Sequence, residues 1–380
     1  MQDHYGFGTR TVHAGEAPDP STGAHGVPMY QNVTYAFRSY EQLESMRSGD
    51  TPHFTYQSRG NPTVRCLELK IANLEGAETT VATSSGMSAI SSTLFSLLAG
   101  GGHLVASSDL FEETTNFLRD DLPREGSAFT LVDATDLDAI VAAITPQTRA
   151  IYVEPISNPC LRVADLAAIS RIARQHDVLL VVDNTFLSPA LLRPIAFGAD
   201  IVVHSATKYL SGHGMIQGGI ISGRRELLEP IRNKVARLGG AQSPFGAWVL
   251  LSGIKTLPLR MSRHSTNAAS LARLLAAHPA VASVNYPGLP GHDGHEIAAQ
   301  MVGCGDERFG GMISFCIRGG TAELGRFLNA LQLCTLAVSL GDCSTLVWPF
   351  AGSGLIRVSV GIEDPDDLAN EFRTALDGLS

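Results

Sequence analysis

The chain has 380 residues, a formal net charge of −9, 44% hydrophobic residues and 17% charged residues. That is an ordinary globular balance with room for two cored domains, and it holds no basic run of the kind that grips nucleic acid or an anionic membrane surface. No apolar stretch approaches the roughly 20 residues of a membrane span, and the N-terminus MQDHYGFGTRTVHAGE lacks the apolar core of a signal peptide, so a cytoplasmic location is expected.

In chain order, residues 1–55 have weak periodicity and many turn formers, as in EAPDPSTGAHG, and read as an extended N-terminal arm. From Gly76 to Gly223 short apolar runs alternate with amphipathic stretches. TTVATSS, GHLVASS, SAFTLVD, RAIYVEP, VLLVVDN, DIVVHSA and GGIISG are the candidate strands, and MSAISSTLFSLLA and VADLAAISRIARQH are helical patterns between them. Strands that are apolar throughout and alternate with helices predict an α/β fold with a mostly parallel sheet covered on both faces. After Pro244 the helical AWVLLSGIKTL, NAASLARLLAAHP and AELGRFLNAL mix with strand-like ASVNYPG, GGMISFCI and LIRVSVGIED, predicting a smaller α+β domain. The expected division is therefore 1–55, 56–244 and 245–380. The six cysteines, Cys66, Cys160, Cys304, Cys316, Cys334 and Cys343, have no C-x-x-C spacing and read as reduced, mostly buried thiols. His292 and His295 in GHDGHE stand after a Pro-Gly turn with no third ligand nearby. They read as a surface loop, and no metal site is expected.

In a parallel sheet the chemistry collects at the carboxyl ends of the strands. VLLVVDNT delivers Asp183 there, and DIVVHSATK delivers Ser205, Thr207 and Lys208. TTVATSSGM runs through Ser85, Gly86 and Met87 into a helix, and RAIYVEPISNP ends near Asn158. A helix N-terminus after a glycine offers free N–H groups and a positive dipole end to a phosphate, and hydroxyls add donors. A buried carboxylate keeps a pyridine nitrogen protonated, and a desolvated lysine loses its proton readily and forms Schiff bases. Singly these are weak signals: an Asp after a strand is usually a turn or cap, and a lysine leaving a strand is usually at the surface. Together they describe a pyridoxal phosphate site. No G-x-G-x-x-G follows the first strand, which argues against a nucleotide-binding dehydrogenase.

The run DNTFLSPALLRPIAFGADIVVHSATKYLSGHG closely resembles the cystathionine γ-synthase, γ-lyase and O-acylhomoserine sulfhydrylase group, the Cys/Met-metabolism pyridoxal-phosphate enzymes of fold type I. The likeness extends through NPTVRCLELKIANLEGAE, SSGMSAI, SNPCLRVADL, KTLPLRM, YPGLPGHDGHEIA and LIRVSVGIEDPDDL, nearly the whole chain. The resemblance implies that Lys208 is the Schiff-base lysine and proton carrier, with Asp183 the partner of the pyridine nitrogen. It makes Ser205, Thr207, Gly86 and Met87, beside Ser85, phosphate ligands, and places Asn158 near the cofactor's phenolic oxygen. Arg357, helped by Ser339, would clamp the substrate carboxylate, in keeping with the fork of a guanidinium. Tyr56 resembles the tyrosine that reaches a neighbouring subunit's phosphate. The implied assembly is a homotetramer, a dimer of dimers with shared active sites.

Four departures from the family pattern stand out. Ser58 occupies the arginine position of Y-x-R-x-x-N-P-T and Arg59 follows it, so Arg59 is the expected replacement for the phosphate arginine. Phe111 replaces the tyrosine whose ring stacks on the cofactor; its ring still stacks, but the hydroxyl is gone. In the lyases that hydroxyl is thought to help protonate the departing sulfur. A thiol has a pKa of about 8.5 and a carboxyl about 4, so a carboxylate or halide leaves without an acid whereas a thiolate gains from one. The long segment with a T-H motif that usually precedes L-I-R-x-S is absent, and SLGDCSTLVWPFAGSGLIRVS joins the two directly. Met215 and Gln217 replace small polar residues. The expected activity is γ-replacement or γ-elimination on an amino acid with a good leaving group, by default O-succinyl- or O-acetyl-L-homoserine. The rivals are γ-elimination from an unusual, for example halogenated, amino acid, and a cystathionine or methionine γ-lyase. A non-catalytic member would be expected to have lost Lys208, Asp183 or Arg357, and all three are present.

Overall fold

The computed structural model describes residues 4–302, 308–350 and 352–379. All seven runs expected as strands form one sheet: β1 (Thr79–Thr83), β2 (His103–Ser107), β3 (Ala128–Val132), β4 (Thr148–Val153), β5 (Leu179–Asp183), β6 (Ile201–Ser205) and β7 (Gly219–Gly223). Their order is β1-β7-β6-β5-β4-β2-β3. The block β6-β5-β4-β2-β3 is parallel, and β7 runs antiparallel to both β6 and β1. Both faces are covered, which is why the strands carry no polar alternation. Val81, Tyr152, Val181, Val203 and Ile221 point into one core with Ala89, Ile90 and Leu94 of helix Gly86–Leu97. Val153, Val182 and Val202 point into the other, against helices Pro62–Glu75 and Leu166–Gln175.

Local chemistry starts and stops these elements. Asn61 caps helix Pro62–Glu75 by accepting from Thr63 N at 2.9 Å, with Pro62 at its first position, and Gly76 ends it at φ 74°. Ser85 caps helix Gly86–Leu97 by accepting from Ser88 N at 3.1 Å. Gly86 and Met87, the first residues of that helix, are left facing the carboxyl end of the sheet.

A second sheet has the order β10-β11-β12-β9-β8, made of β8 (Val281–Asn285), β9 (Met312–Ile317), β10 (Thr335–Leu336), β11 (Leu346–Pro349) and β12 (Leu355–Ser359). Its apolar face, with Ile313, Phe315, Val347, Ile356 and Val358, is buried. Helices Leu257–Ala277 and Pro365–Asp377 contribute Ala268, Leu271, Leu275, Phe372 and Leu376 to the same core. The expected boundary at 244/245 falls at the start of helix Pro244–Lys255, with the large sheet before it and the small sheet after it.

Three expectations need correction. The first 55 residues are not all extended: they contain helices Phe7–His13 and Tyr40–Arg47. The first is held by Lys70, whose ammonium, wholly buried, donates to Thr11 O at 2.7 Å and Val12 O at 3.2 Å and pairs with Glu16 at 3.1 Å. Strands β10 and β11 escaped the pattern reading because one is two residues long and the other is four residues long and ends on a proline. Of the described cysteines, all free, only Cys334 is buried; Cys66, Cys160, Cys316 and Cys343 are half-buried, and Cys304 lies outside the described residues. His292 Nδ1 accepts from Gly294 N, and His295 Nδ1 bonds Pro287 O, so both rings brace their own loop. Among the described residues no helix is long and apolar enough to cross a membrane.

Candidate active site

The carboxyl ends of β4, β5 and β6 bring a carboxylate and a set of hydroxyls into one cleft. Asp183 ends β5, is 8% exposed, and accepts from Tyr152 Oη at 3.1 Å, Thr185 N at 3.0 Å and Thr185 Oγ1 at 2.5 Å. These donors are neutral. Burial raises the Asp183 pKa, opposed by the Thr185 hydroxyl, then by His204, Thr185 N and Tyr152. Thr185 also locks the neighbouring strand, its Oγ1 accepting from Ser205 N at 2.8 Å.

Ser205 ends β6 directly beside Gly86. A Cβ on Gly86 would stand 2.8 Å from Ser205 Cβ and 3.0 Å from its Oγ. Only a glycine lets the helix start approach the hydroxyl so closely. Thr207 Oγ1 is engaged with the connection to β7, donating to Gly218 O at 3.3 Å and accepting from Gly218 N at 3.1 Å.

Lys208 leaves β6 half-buried and donates from Nζ to Ser339 Oγ at 3.2 Å. Burial depresses its pKa first, and Arg357 adds to the effect. Arg357, in β12, is 6% exposed; it donates to Asn158 Oδ1 at 2.9 Å and to Ser339 O at 3.2 Å. Ser339 therefore touches both cations, and it does so from φ 111°, a conformation rare for a side-chain-bearing residue.

Sequence reasoning missed three members of this site. Tyr152 and Thr185 hold Asp183. Glu154 accepts from Phe111 N at 2.9 Å and from the Asn158 backbone, and so ties together the two segments that carry those residues. Burial, and then the Asp183 charge, push the Glu154 carboxyl well above its ordinary range. The signal was the spacing in RAIYVEP, where Tyr152 and Glu154 alternate onto the face of β4 that Asp183 shares on β5. Phe111 caps the short helix Glu112–Asn116 and is 42% exposed. Tyr56 and Arg59 lie apart, on the exposed turn around Gln57–Arg59. Neither forms a hydrogen bond with the cleft residues among the described residues, and Gln57 Nε2 bonds Gln242 O at 2.7 Å. Met215 is 68% exposed.

The donor set fits pyridoxal phosphate. A buried carboxylate served by neutral donors is completed by a cationic ring N–H. A helix N-terminus with no Cβ at its first residue, beside a serine hydroxyl, is completed by a phosphate. The model of the Cys/Met metabolism PLP-dependent enzyme family matches residues 8–352. The chain belongs to that family. It is 42% identical to the L-methionine γ-lyase of Pseudomonas putida over 98% of this chain and 97% of that protein. It is 41% identical to the cystathionine γ-synthase of Mycobacterium bovis, again over 98% and 97% of the two chains. The crystal structure of metB from Corynebacterium glutamicum superposes with a TM-score of 0.94 at 35% identity, covering 100% of both chains. The protein is a fold type I, PLP-dependent enzyme of γ-lyase and γ-synthase chemistry.

Proposed function

We propose that this enzyme acts on a γ-substituted L-amino acid whose γ group leaves as a stable anion, an O-acyl-L-homoserine by default. The observation that carries this reading is Phe111, at the position where the family has a tyrosine. It supplies an apolar ring but no hydroxyl to protonate a departing sulfur. Membership of a family that includes both lyases and synthases supports the γ-chemistry itself.

When bound, the cofactor supplies an electron sink for negative charge developing at Cα and Cβ. The chain's own residues do the rest. Arg357 binds the substrate carboxylate through its planar fork, with Ser339 and Asn158 fixing the fork's direction. Lys208, its pKa lowered by burial and by Arg357, gives up its proton more readily than an exposed lysine and moves protons at Cα and Cβ. Asp183 keeps its charge opposite the ring nitrogen, and Tyr152 and Thr185 hold that carboxylate in place. Ser85, Gly86, Met87 and Ser205 receive the phosphate, and Thr207 joins them by exchanging its bonds with Gly218. We place Tyr56 and Arg59 at the phosphate of a second copy, within a dimer of dimers; their exposure on a turn outside their own cleft supports this.

A second reading, elimination from a thioether, is favoured by the 42% identity to an L-methionine γ-lyase. The experiment is keto-acid release from O-succinylhomoserine and from cystathionine, side by side, without added thiol. Release from the ester alone supports the proposal. Release mainly from cystathionine overturns the argument from Phe111 and makes the enzyme a lyase. No release from either, with cofactor bound, rejects both in favour of another γ-substituted amino acid.

A further inference from the structure

Arg357 is held by hydrogen bonds to Asn158 and Ser339, and the Cζ of its guanidinium stands over the face of an aromatic ring. The Phe350 centroid lies 5.5 Å from Arg357 Cζ. The strand register explains this. Trp348 of β11 is paired with Arg357 of β12, Pro349 with Ile356, and Phe350 N donates to Leu355 O at 2.8 Å. Alternation puts Trp348 and Phe350 on the side of Arg357, and Val347, Ile356 and Val358 on the buried side. Gly352 at φ 82° and Gly354 at φ 68° stand between Phe350 and β12. This is the place where the chain lacks the longer segment of its family pattern.

We propose that Phe350 is a positioning residue for the substrate carboxylate, with Trp348, 36% exposed, extending the same aromatic wall outward. The inference rests on the reading of Arg357 as the carboxylate clamp. A guanidinium facing a ring is attracted to it, and the ring occupies none of the five N–H donors. The donors not already given to Asn158 and Ser339 therefore stay available for an edge-on ion pair. The ring also excludes water from one face, which strengthens the pair that forms on the edge. A polar cover at this position would compete with the substrate for the same donors.

The test compares Phe350→Leu and Phe350→Tyr in the cofactor-loaded enzyme, with Phe350→Met in reserve should the leucine variant fail to fold. The dissociation constant of L-norvaline, an amino acid with no γ leaving group, is measured by calorimetry beside KM and kcat. Leucine should weaken norvaline binding by about three- to tenfold, an effect carried by KM more than by kcat, and tyrosine should restore it. Equal binding in the leucine variant overturns the inference. So does a tyrosine variant as weak as leucine, which would make the role one of packing. Arg357→Lys separates the two levels. If it leaves norvaline binding intact, the clamp reading fails; if it weakens binding while Phe350→Leu does not, only the role of Phe350 fails.

Discussion

His264 should make the fold lose stability as pH falls from 6.5 toward 4. Its ring is fully buried, donates from Nδ1 to Val360 O, 2.7 Å away, and stands edge-on to Tyr209 at 5.2 Å between centroids. Burial brings its pKa down from the ordinary 6.5 to about 4, with Arg260 pushing the same way and Asp342 and the backbone opposing. A depressed histidine pKa means that the unfolded chain binds the proton first. Stability is then complete above pH 6.5 and is lost as pH falls toward 4, because protons favour the unfolded state throughout that window. Linkage gives a loss of about 2 kcal/mol at pH 5 and about 3 kcal/mol at pH 4 from this group alone. Carboxylates also titrate in the window, so the useful quantity is the difference between the wild type and His264→Gln, which cannot take up the proton. Urea unfolding of both proteins from pH 8 to pH 4 should give curves offset by a constant above pH 7. Below pH 6.5 the wild type should lose stability relative to the variant. Parallel curves down to pH 4 would show that His264 is not held neutral in the native state.

Three further outcomes bear on the site. Lys208→Ala should lose turnover by at least about a hundredfold, together with the visible absorbance of lysine-bound cofactor; wild-type turnover in that variant would end the assignment of Lys208 as the proton carrier. Gly86→Ala should weaken cofactor binding by tenfold or more by titration of the apoenzyme, because its Cβ would stand 2.8 Å from Ser205 Cβ and crowd the space where the phosphate is proposed to sit; unchanged affinity would move the phosphate elsewhere. Phe111→Tyr should raise cleavage of thioethers relative to acyl esters in the keto-acid assay, and an unchanged ratio would remove the leaving-group argument.

The large sheet was legible because its strands, apart from the edge strand β3, are largely buried on both sides and read as mostly apolar runs. The polar residue that ends such a run is conspicuous, which is how Asp183, Ser205 and Lys208 stood out. Tyr152 and Glu154 did not stand out, since a tyrosine and a terminal glutamate are unremarkable in a strand until its neighbour is known. It is the β4–β5 pairing that sets them beside Asp183. The docking of helix Phe7–His13 was invisible for a related reason. A lysine inside helix Pro62–Glu75 looks solvated in the sequence, yet Lys70 is buried against the carbonyls of Thr11 and Val12. The aromatic cover of Arg357 depends on a register between β11 and β12 that periodicity over four or five residues cannot fix.

The cleft has two electrical poles, and Asn158 joins them. Lys208 and Arg357 form a cationic pole, close enough for Arg357 to depress the lysine pKa. Asp183 and Glu154 form a carboxylic pole, close enough for the Asp183 charge to raise the Glu154 pKa. The Asn158 backbone N–H donates to Glu154, while its side-chain oxygen accepts from Arg357 at 2.9 Å. On the proposed reading a substrate between the poles would have its carboxylate and acidic Cα–H at the cationic end, and Asp183, at the other, would hold the cofactor's ring nitrogen protonated. Arg357 then serves the reaction twice, as a clamp and as a charge that adds to the lowering of the Lys208 pKa. On that reading its loss should raise KM and also move the acidic limb of the kcat profile, where Lys208 must be deprotonated to act as a base, to higher pH, an outcome that a carboxylate clamp alone would not produce.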